Sequence, residues 1–177
     1  MKTFGKRFLY LGAFFLLALF SVFLAVGGAY FIKGIFGRVF LLILSLVMTL
    51  GFFFVMFIND ASEDKKFCEK NGLKLRPLRG FNLFLLVIII QLVLSGILLY
   101  SKHSGVDFLT PYKFINSAFM PLFAIVARGR GAEVSYQTHC VVAAIVPLFY
   151  ICLPLFYRLG LSKFDWIENM TRRGGKR

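Results

Sequence analysis

The sequence predicts an all-α fold: a polytopic membrane protein built as a four-helix transmembrane bundle with one additional short helix that is re-entrant or interfacial. Two observations carry this prediction. Apolar residues make up 59% of the chain, whereas soluble globular proteins contain about 45–50%. The chain also holds four runs without Asp, Glu, Lys or Arg, each long enough to cross a bilayer core of about 30 Å as a helix. These runs are residues 8–32, 39–59, 80–101 and 134–157.

The first run has two interpretations. Lys2, Lys6 and Arg7 precede it, and Ala25-Val26-Gly27 resembles a signal-peptidase site, so it could be a cleaved signal peptide. Its apolar stretch, however, far exceeds the roughly 7–15 residues of a signal-peptide core. We therefore expect an uncleaved first transmembrane helix.

Residues 60–79 are predicted to form a cytoplasmic loop between the second and third spans. Asp60 followed by Glu63 has the spacing of a capping box, which predicts the start of a separate short amphipathic helix. Asn71-Gly72 predicts the end of that helix. The segment is too short to fold alone, so the sequence indicates one membrane domain spanning residues 1–177.

The distribution of positive charge decides whether residues 114–127 cross the membrane. If they cross, 11 of the 21 Lys and Arg residues lie on the inside; if they do not, 15 do. Lys and Arg accumulate on the cytoplasmic side of membrane proteins. The count favours four spans, with both termini and the basic tail 158–177 in the cytoplasm, as expected of an integral protein of a bacterial plasma membrane.

Residues 111–127 are therefore expected to form the additional helix on the outer side. Thr110-Pro111 is a helix-start signal, and Pro121 should kink or break the helix. Gly129 and Gly131 then supply a turn. The sequence leaves open whether this helix re-enters the membrane or lies at its interface.

Polar side chains within the spans are few, and most suit helix packing. Small and hydroxyl side chains allow close approach of helices in lipid, and the predicted packing residues are Ser21, Ala25, Ala29, Ser45 and Thr49. Gln91 lies near the middle of the third span with Ser95 one turn later. Because an amide carries several hydrogen-bonding groups and has no water there, Gln91 and Ser95 are predicted binding residues.

Reactive side chains cluster before and at the start of the last span. Arg128 and Arg130 could bind a lipid phosphate, since guanidinium groups match phosphate oxygens. His139 and Glu133 are weak candidates for catalysis, because they lack a second acid or a metal-ligand spacing. Tyr136 and Cys140 belong to the same cluster. The alternative is an interfacial belt, in which Arg and Tyr sit at headgroups for physical reasons alone.

No cofactor or metal site is expected. The three cysteines, Cys68, Cys140 and Cys152, show neither a disulfide framework nor zinc-ligand spacing. No ionisable side chain lies deep in the first three runs, although such groups normally mark ion and proton pathways.

These patterns predict a non-enzymatic integral membrane protein, an accessory subunit or scaffold of a larger membrane complex. One alternative is an oligomeric channel or carrier whose path lies between protomers. Another is a lipid-directed enzyme that uses the cluster of Arg128, Glu133 and His139. The expected partners are other membrane subunits and anionic lipids at the cytoplasmic face. Nucleic acid is not expected, because the net charge of +13 is explained by basic segments next to the membrane.

Overall fold

The structure, a computed structural model, describes residues 3–31 and 34–162, apart from the side chains of residues 3 and 29–31. Helices account for all regular secondary structure in these residues. In chain order they are α1 (Thr3–Phe31), α2 (Ile35–Lys70), α3 (Arg79–Ser104), α4 (Leu109–Ile115), a 3-10 turn (Ser117–Phe119), α5 (Met120–Val126), α6 (Tyr136–Cys152) and α7 (Leu155–Leu161).

Among the described residues, four helical segments are long and apolar enough to cross a membrane, as the sequence predicted. They are α1, α2, α3 and the pair α6–α7, which is interrupted at Leu153-Pro154. The chain alternates in direction, so the start of α1, the end of α2, the start of α3 and the end of α7 meet at one end of the bundle. We call this end the N-terminal face and the opposite end the hairpin face.

The second helix is longer than the sequence predicted. It runs unbroken from Ile35 to Lys70, so residues 60–70 continue α2 and do not begin a separate helix at Asp60. No Gly or Pro occurs between Gly51 and Gly72 to stop it. The connection to α3 is correspondingly short, from residue 71 to residue 78, rather than the predicted loop 60–79.

The additional helix is divided into a hairpin that enters the bundle. Its two arms, α4 and α5, are joined at their mouth by Lys113, whose ammonium donates to the carbonyl of Ala127 at 2.6 Å. The turn between them reaches the middle of α1, where the Ser117 hydroxyl donates to the carbonyl of Ala18. The segment therefore enters from the hairpin face, reaches the bundle interior and returns to the same face.

The break in this hairpin lies earlier than predicted. Helix α4 ends at Ile115 and α5 begins at Met120, so Pro121 stands in the first turn of α5 and not at the break. Proline is tolerated at this position because its missing N–H would have no helical partner there. The start is also shifted: Asp107 accepts hydrogen bonds from the Leu109 amide and the Thr110 hydroxyl.

Aromatic side chains fill the core at two levels. Near the N-terminal face Tyr10 packs on Phe57 and Phe84, with ring centroids 4.7 and 5.8 Å apart. Towards the hairpin, Phe119 meets Phe149 at 5.1 Å. Most large apolar side chains on the outer surfaces of α1 and α2 are exposed, as expected of lipid-facing positions.

Candidate functional site

A group of polar side chains is buried midway through the bundle, where the hairpin packs on α3. Ser95 and Tyr112 bring their hydroxyls to 3.2 Å. Gln91 lies one turn deeper on α3, Asn116 lies at the C-terminal end of α4 one turn beyond Tyr112, and both are fully buried. Because the two helices run in opposite directions, their amides are placed at a similar depth. Both amide atoms of Gln91 and the Asn116 oxygen lack a hydrogen-bond partner in the described residues.

Among the predicted packing residues, Ser21 and Ser45 meet between α1 and α2 of the same chain. The Ser45 hydroxyl donates to that of Ser21 at 3.3 Å, and both are buried. Thr49 is buried one turn further on and bonds the Ser45 carbonyl. Ala25 is half-buried, while the Ala29 side chain lies outside the described part. At Ser21, therefore, the row of small residues on α1 makes a helix contact within the protomer.

At the N-terminal face, charged side chains join α1 to α2. The Lys6 ammonium lies 2.5 Å from an Asp60 oxygen and 2.8 Å from a Glu63 oxygen. The other Asp60 oxygen accepts from the Tyr10 hydroxyl at 2.9 Å. Arg7 bonds Asn82, which ties α1 to α3 as well. Asp60 and Glu63 therefore link helices instead of forming the predicted capping box.

Beside this link, a buried carboxylate joins α2, α3 and α7. Asp64 has a side chain only 3% exposed, and one of its oxygens, Oδ2, lies 2.7 Å from the Arg79 Nε. The same oxygen accepts from the Tyr157 hydroxyl at 2.6 Å. We call this set, Asp64, Arg79 and Tyr157, the charged clamp. A buried ion pair must be well bonded to offset its desolvation, so the clamp fixes how these three helices meet.

The clamp forms one wall of a cavity of about 350 Å³ that opens at the N-terminal face. The cavity is also lined by the residue 73–76 segment, which contributes Lys74 and Arg76. The second oxygen of Asp64, Oδ1, is buried and has no hydrogen-bond partner in the described part of the chain. Thus a partly unsatisfied carboxylate lies among cationic side chains.

At the hairpin face, the cations bind backbone carbonyls. Lys102 donates to the carbonyls of Gly131, Ala132 and Val134 at 2.6–3.1 Å. Lys113 donates to Ala127 and also to the following loop. Burial lowers the pKa of Lys113, although nearby Asp107 acts in the opposite direction. These bonds satisfy the carbonyls that a broken helix and an irregular loop leave without partners.

In the predicted reactive cluster, Arg128, Glu133 and His139 each bond a nearby backbone group. Arg128 donates from Nε to the carbonyl of Ala124 at 2.9 Å. Glu133 accepts from the amide of Arg130 at 3.0 Å. His139 is buried, and its Nδ1 lies 3.0 Å from the Ser135 carbonyl oxygen. Each of these side chains thus has a local structural partner, and the bonds give no sign of a shared catalytic geometry.

Sequence reasoning missed the charged clamp. The available signal was Asp64, a carboxylate shortly after the second apolar run, with Arg79 directly before the third run. Within residues 3–31 and 34–162, no group of three His, Cys, Asp or Glu side chains is arranged to hold a metal ion. Neither a family model, nor a curated protein, nor a solved structure matches this chain.

Proposed function

We propose that this chain is a non-enzymatic membrane component, an accessory subunit or scaffold that docks a larger membrane complex through its N-terminal face. The proposal rests on the length of α2, which continues beyond the predicted span. Its last eleven residues, 60–70, extend the helix past the predicted span by about 16 Å at 1.5 Å per residue. The charged clamp holds this extension against α3 and α7, so it forms a rigid projection.

The projection is chemically suited to an acidic partner. Lys66 and Lys70 are exposed on it, and Lys74 and Arg76 are exposed on the connection that follows. Among the described residues none of these four cations makes an ion pair. Exposed Leu73 and other apolar side chains lie between these cations. Mixed cationic and apolar surfaces of this kind support association with acidic protein surfaces and with anionic lipid.

We place the N-terminal face in the cytoplasm of a bacterial plasma membrane. Of the 14 Lys and Arg residues that the structure describes, nine lie at or near the N-terminal face and five at or near the hairpin face. This asymmetry supports that orientation. Residues 163–177 of the predicted tail 158–177, with five further cations, lie outside the described residues. The two alternative functions have less support: Gln91 and Ser95 are buried inside the protomer, and the reactive cluster bonds to its own backbone.

Site-specific cross-linking in native membranes tests the docking role. A photoreactive residue replaces Glu69, which is exposed near the end of α2. The matched control replaces Phe36, which is 88% exposed at the opposite end of the same helix. We expect a discrete heavier product from position 69 only, and its loss on the double charge reversal K66E/K70E. A chain that gives no product from position 69 and migrates alone in mild detergent would contradict the proposal.

A further inference from the structure

Two arginines meet at the hairpin face, where the start of α2 lies against the end of α5. Arg38, in the first turn of α2, donates from Nη1 to the carbonyl oxygen of Ala124 at 3.1 Å. Arg128, which follows α5, donates from Nε to the same oxygen at 2.9 Å. Because both nitrogens bond one atom, they lie at most about 6 Å apart. We call Arg38 and Arg128 the arginine pair.

Carboxylates do not balance the charges of the arginine pair. Within residues 3–31 and 34–162, neither arginine makes an ion pair. The acidic side chains of this face, Asp107 and Glu133, accept hydrogen bonds from backbone amides instead. The shared Ala124 carbonyl is neutral, so two full positive charges lie side by side. Such charges repel, and an anion placed between them replaces the repulsion with attraction.

An anion can reach the arginine pair from the surface. Both arginines line an open cavity of about 360 Å³ to which no Asp or Glu of the described residues contributes. Arg128 is exposed and Arg38 is half-exposed. A guanidinium has five N–H groups, and each of these two donates only one hydrogen bond to the described residues. Lys113 also lines the cavity and adds positive charge, although it already bonds two carbonyls and Asp107 lies near it.

The free donors are arranged to suit a phosphate group. The hydrogen bond from Nε of Arg128 leaves both of its terminal nitrogens available, and these form part of the planar fork that binds phosphate oxygens in pairs. Arg38 approaches from another helix, so the two side chains can bind different oxygens of one phosphate.

The apolar surroundings of the cavity indicate a lipid as the source of that phosphate. Met120 and Phe123 contribute to its lining. Phe36 and Phe40, which flank Arg38 on α2, are 88% and 57% exposed, so acyl chains could cover them whereas a soluble anion would not. The cavity volume is at the lower end of small-molecule sites, about 300–1,000 Å³. This size suits a headgroup whose acyl chains remain in the bilayer.

We propose that this cavity binds the phosphate of an anionic phospholipid between Arg38 and Arg128. The acyl chains lie along the apolar start of α2. The sequence had paired Arg128 with Arg130, but Arg130 does not line the cavity; its place is taken by Arg38, which is distant along the chain. The site lies at the opposite end of the bundle from the docking surface and goes beyond that role. Bound lipid bridges α2 and α5 and so holds the hairpin against the bundle.

Photolabelling locates the lipid on the full-length chain. Phosphatidylglycerol that carries a photoreactive group near its phosphate is added to the protein in mixed micelles, and labelled peptides are identified by mass spectrometry. We expect labelling within residues 36–40 and 113–129. The double variant R38Q/R128Q should reduce it about tenfold or more, as loss of charged hydrogen bonds predicts. Labelling of any cationic segment at the N-terminal face should not change, which provides an internal control.

The matched control variant is R130Q. It removes an exposed arginine from the same loop but not from the cavity lining, so labelling should stay at the wild-type level. If circular dichroism shows that R38Q/R128Q is unfolded, R128Q alone, at an exposed position, should still reduce labelling several-fold. Arginine-pair variants that label as strongly as R130Q would overturn the proposal, as would wild-type protein that is labelled only at the N-terminal face.

Competition identifies the chemistry and the source of the phosphate. Unlabelled phosphatidylglycerol should displace the photoreactive lipid at much lower concentration than phosphatidylcholine, because choline would bring another cation to a cationic cavity. Equal competition by the two lipids would contradict a site for anionic lipid. Glycerol 3-phosphate should compete only weakly; competition as strong as that of phosphatidylglycerol would make a soluble phosphate the occupant and overturn the lipid assignment. The cross-link from position 69 lies at the other end of the bundle, so its failure and the failure of this site are distinguishable.

Discussion

The two ends of the bundle use their charged side chains differently. At the N-terminal face, carboxylates of α2 meet cations of α1 and α3, so that side chain pairs with side chain across helices. At the hairpin face, Lys102 and Lys113 donate to backbone carbonyls. Continuous helices satisfy their own backbone, which leaves charged side chains available to join helices. A segment that enters the bundle, stops and turns leaves carbonyls without helical partners, and cations are needed to satisfy them.

This difference predicts different consequences of mutation. Removing a charge from the N-terminal face should affect the packing of whole helices and thus global stability. Removing one from the hairpin face should release only a local segment.

The largest effect is expected from Asp64→Ala. The substitution leaves Arg79 without its ion-pair partner in the clamp and the buried Tyr157 hydroxyl without its acceptor. Breaking a buried pair from one side typically costs about 3–5 kcal/mol. The free energy of unfolding in mixed detergent micelles should fall by an amount in this range.

The matched control is Glu63→Gln on the same helix. Its side chain is 69% exposed, and exposed ion pairs contribute about 0–1 kcal/mol. If both variants changed the free energy of unfolding equally, the charged clamp would not be the feature that holds this end of the bundle together.

A second prediction concerns the close approach of α7 to α3. A Cβ atom on Gly80 would lie 2.6 Å from the Tyr157 Cβ and 2.8 Å from the Pro154 carbonyl oxygen. Gly80→Ala should therefore force the helices apart and destabilise the fold by about 1–3 kcal/mol, the usual cost of overpacking. The substitution should also weaken the charged clamp. The rate at which a thiol reagent labels Cys68, which lies next to the clamp, can report this change.

Gly96→Ala provides the control on the same helix. A Cβ at that position has nothing within 4 Å, and alanine favours helix over glycine by up to about 1 kcal/mol. This variant should be neutral or more stable in the same unfolding measurement. If both variants lowered the free energy of unfolding by a similar amount, the close contact with Tyr157 would not be the cause of the effect of Gly80→Ala.

How far the sequence predicts this molecule depends on the range of the interaction. The four spans follow from composition alone, because any long apolar run must be helical in lipid. The continuation of α2 to Lys70 was missed because a capping box at Asp60 and Glu63 is a local signal, whereas both carboxylates bond a single cation, Lys6, which is far away along the chain. Local preference gave way to tertiary contact.

The candidate site shows the same limit. Gln91 was identified because a single amide in an apolar run is conspicuous, whereas the burial of Asn116 at a similar depth depends on how far the hairpin enters the bundle. The sequence placed the hairpin break at Pro121, since proline is the strongest local signal. The break instead lies at residues 116–119, where Ser117 bonds the carbonyl of Ala18 on another helix. No local pattern specifies such a contact.

A smaller and more local effect is expected from Lys102→Met. This change leaves the carbonyls of Gly131, Ala132 and Val134 without their shared donor while keeping much of the apolar stem. Loss of bonds to a charged donor costs about 1.5–3 kcal/mol, but the loop can recover part of this by bonding water. Hydrogen exchange should therefore rise in residues 128–135, with little change in α1 and α2. Lys66→Met, an exposed control, should change neither; uniform acceleration across all helices would contradict a local role.

The smallest effect concerns Asp107 and pH. Burial alone raises the pKa of this carboxyl, but hydrogen bonds from the Thr110 hydroxyl and from the amides of Gly131, Thr110 and Leu109 outweigh it, so the pKa lies below its usual value. A lowered pKa in the folded state means that the carboxylate stabilises the mouth of the hairpin above the unfolded pKa of about 3.9. This stabilisation is lost as the pH falls through the folded value. Hydrogen exchange at residues 108–110 and 131, corrected for its intrinsic pH dependence, should therefore become faster below about pH 4.

In Asp107→Asn, which keeps the shape but cannot ionise, the same amides should be less protected at pH 6, and their corrected exchange should change less with pH. Because the side chain is largely exposed to solvent, global stability should hardly move. If Asp107→Asn kept the wild-type pH dependence of hydrogen exchange, another carboxylate at this face, such as Glu133, would be responsible for it.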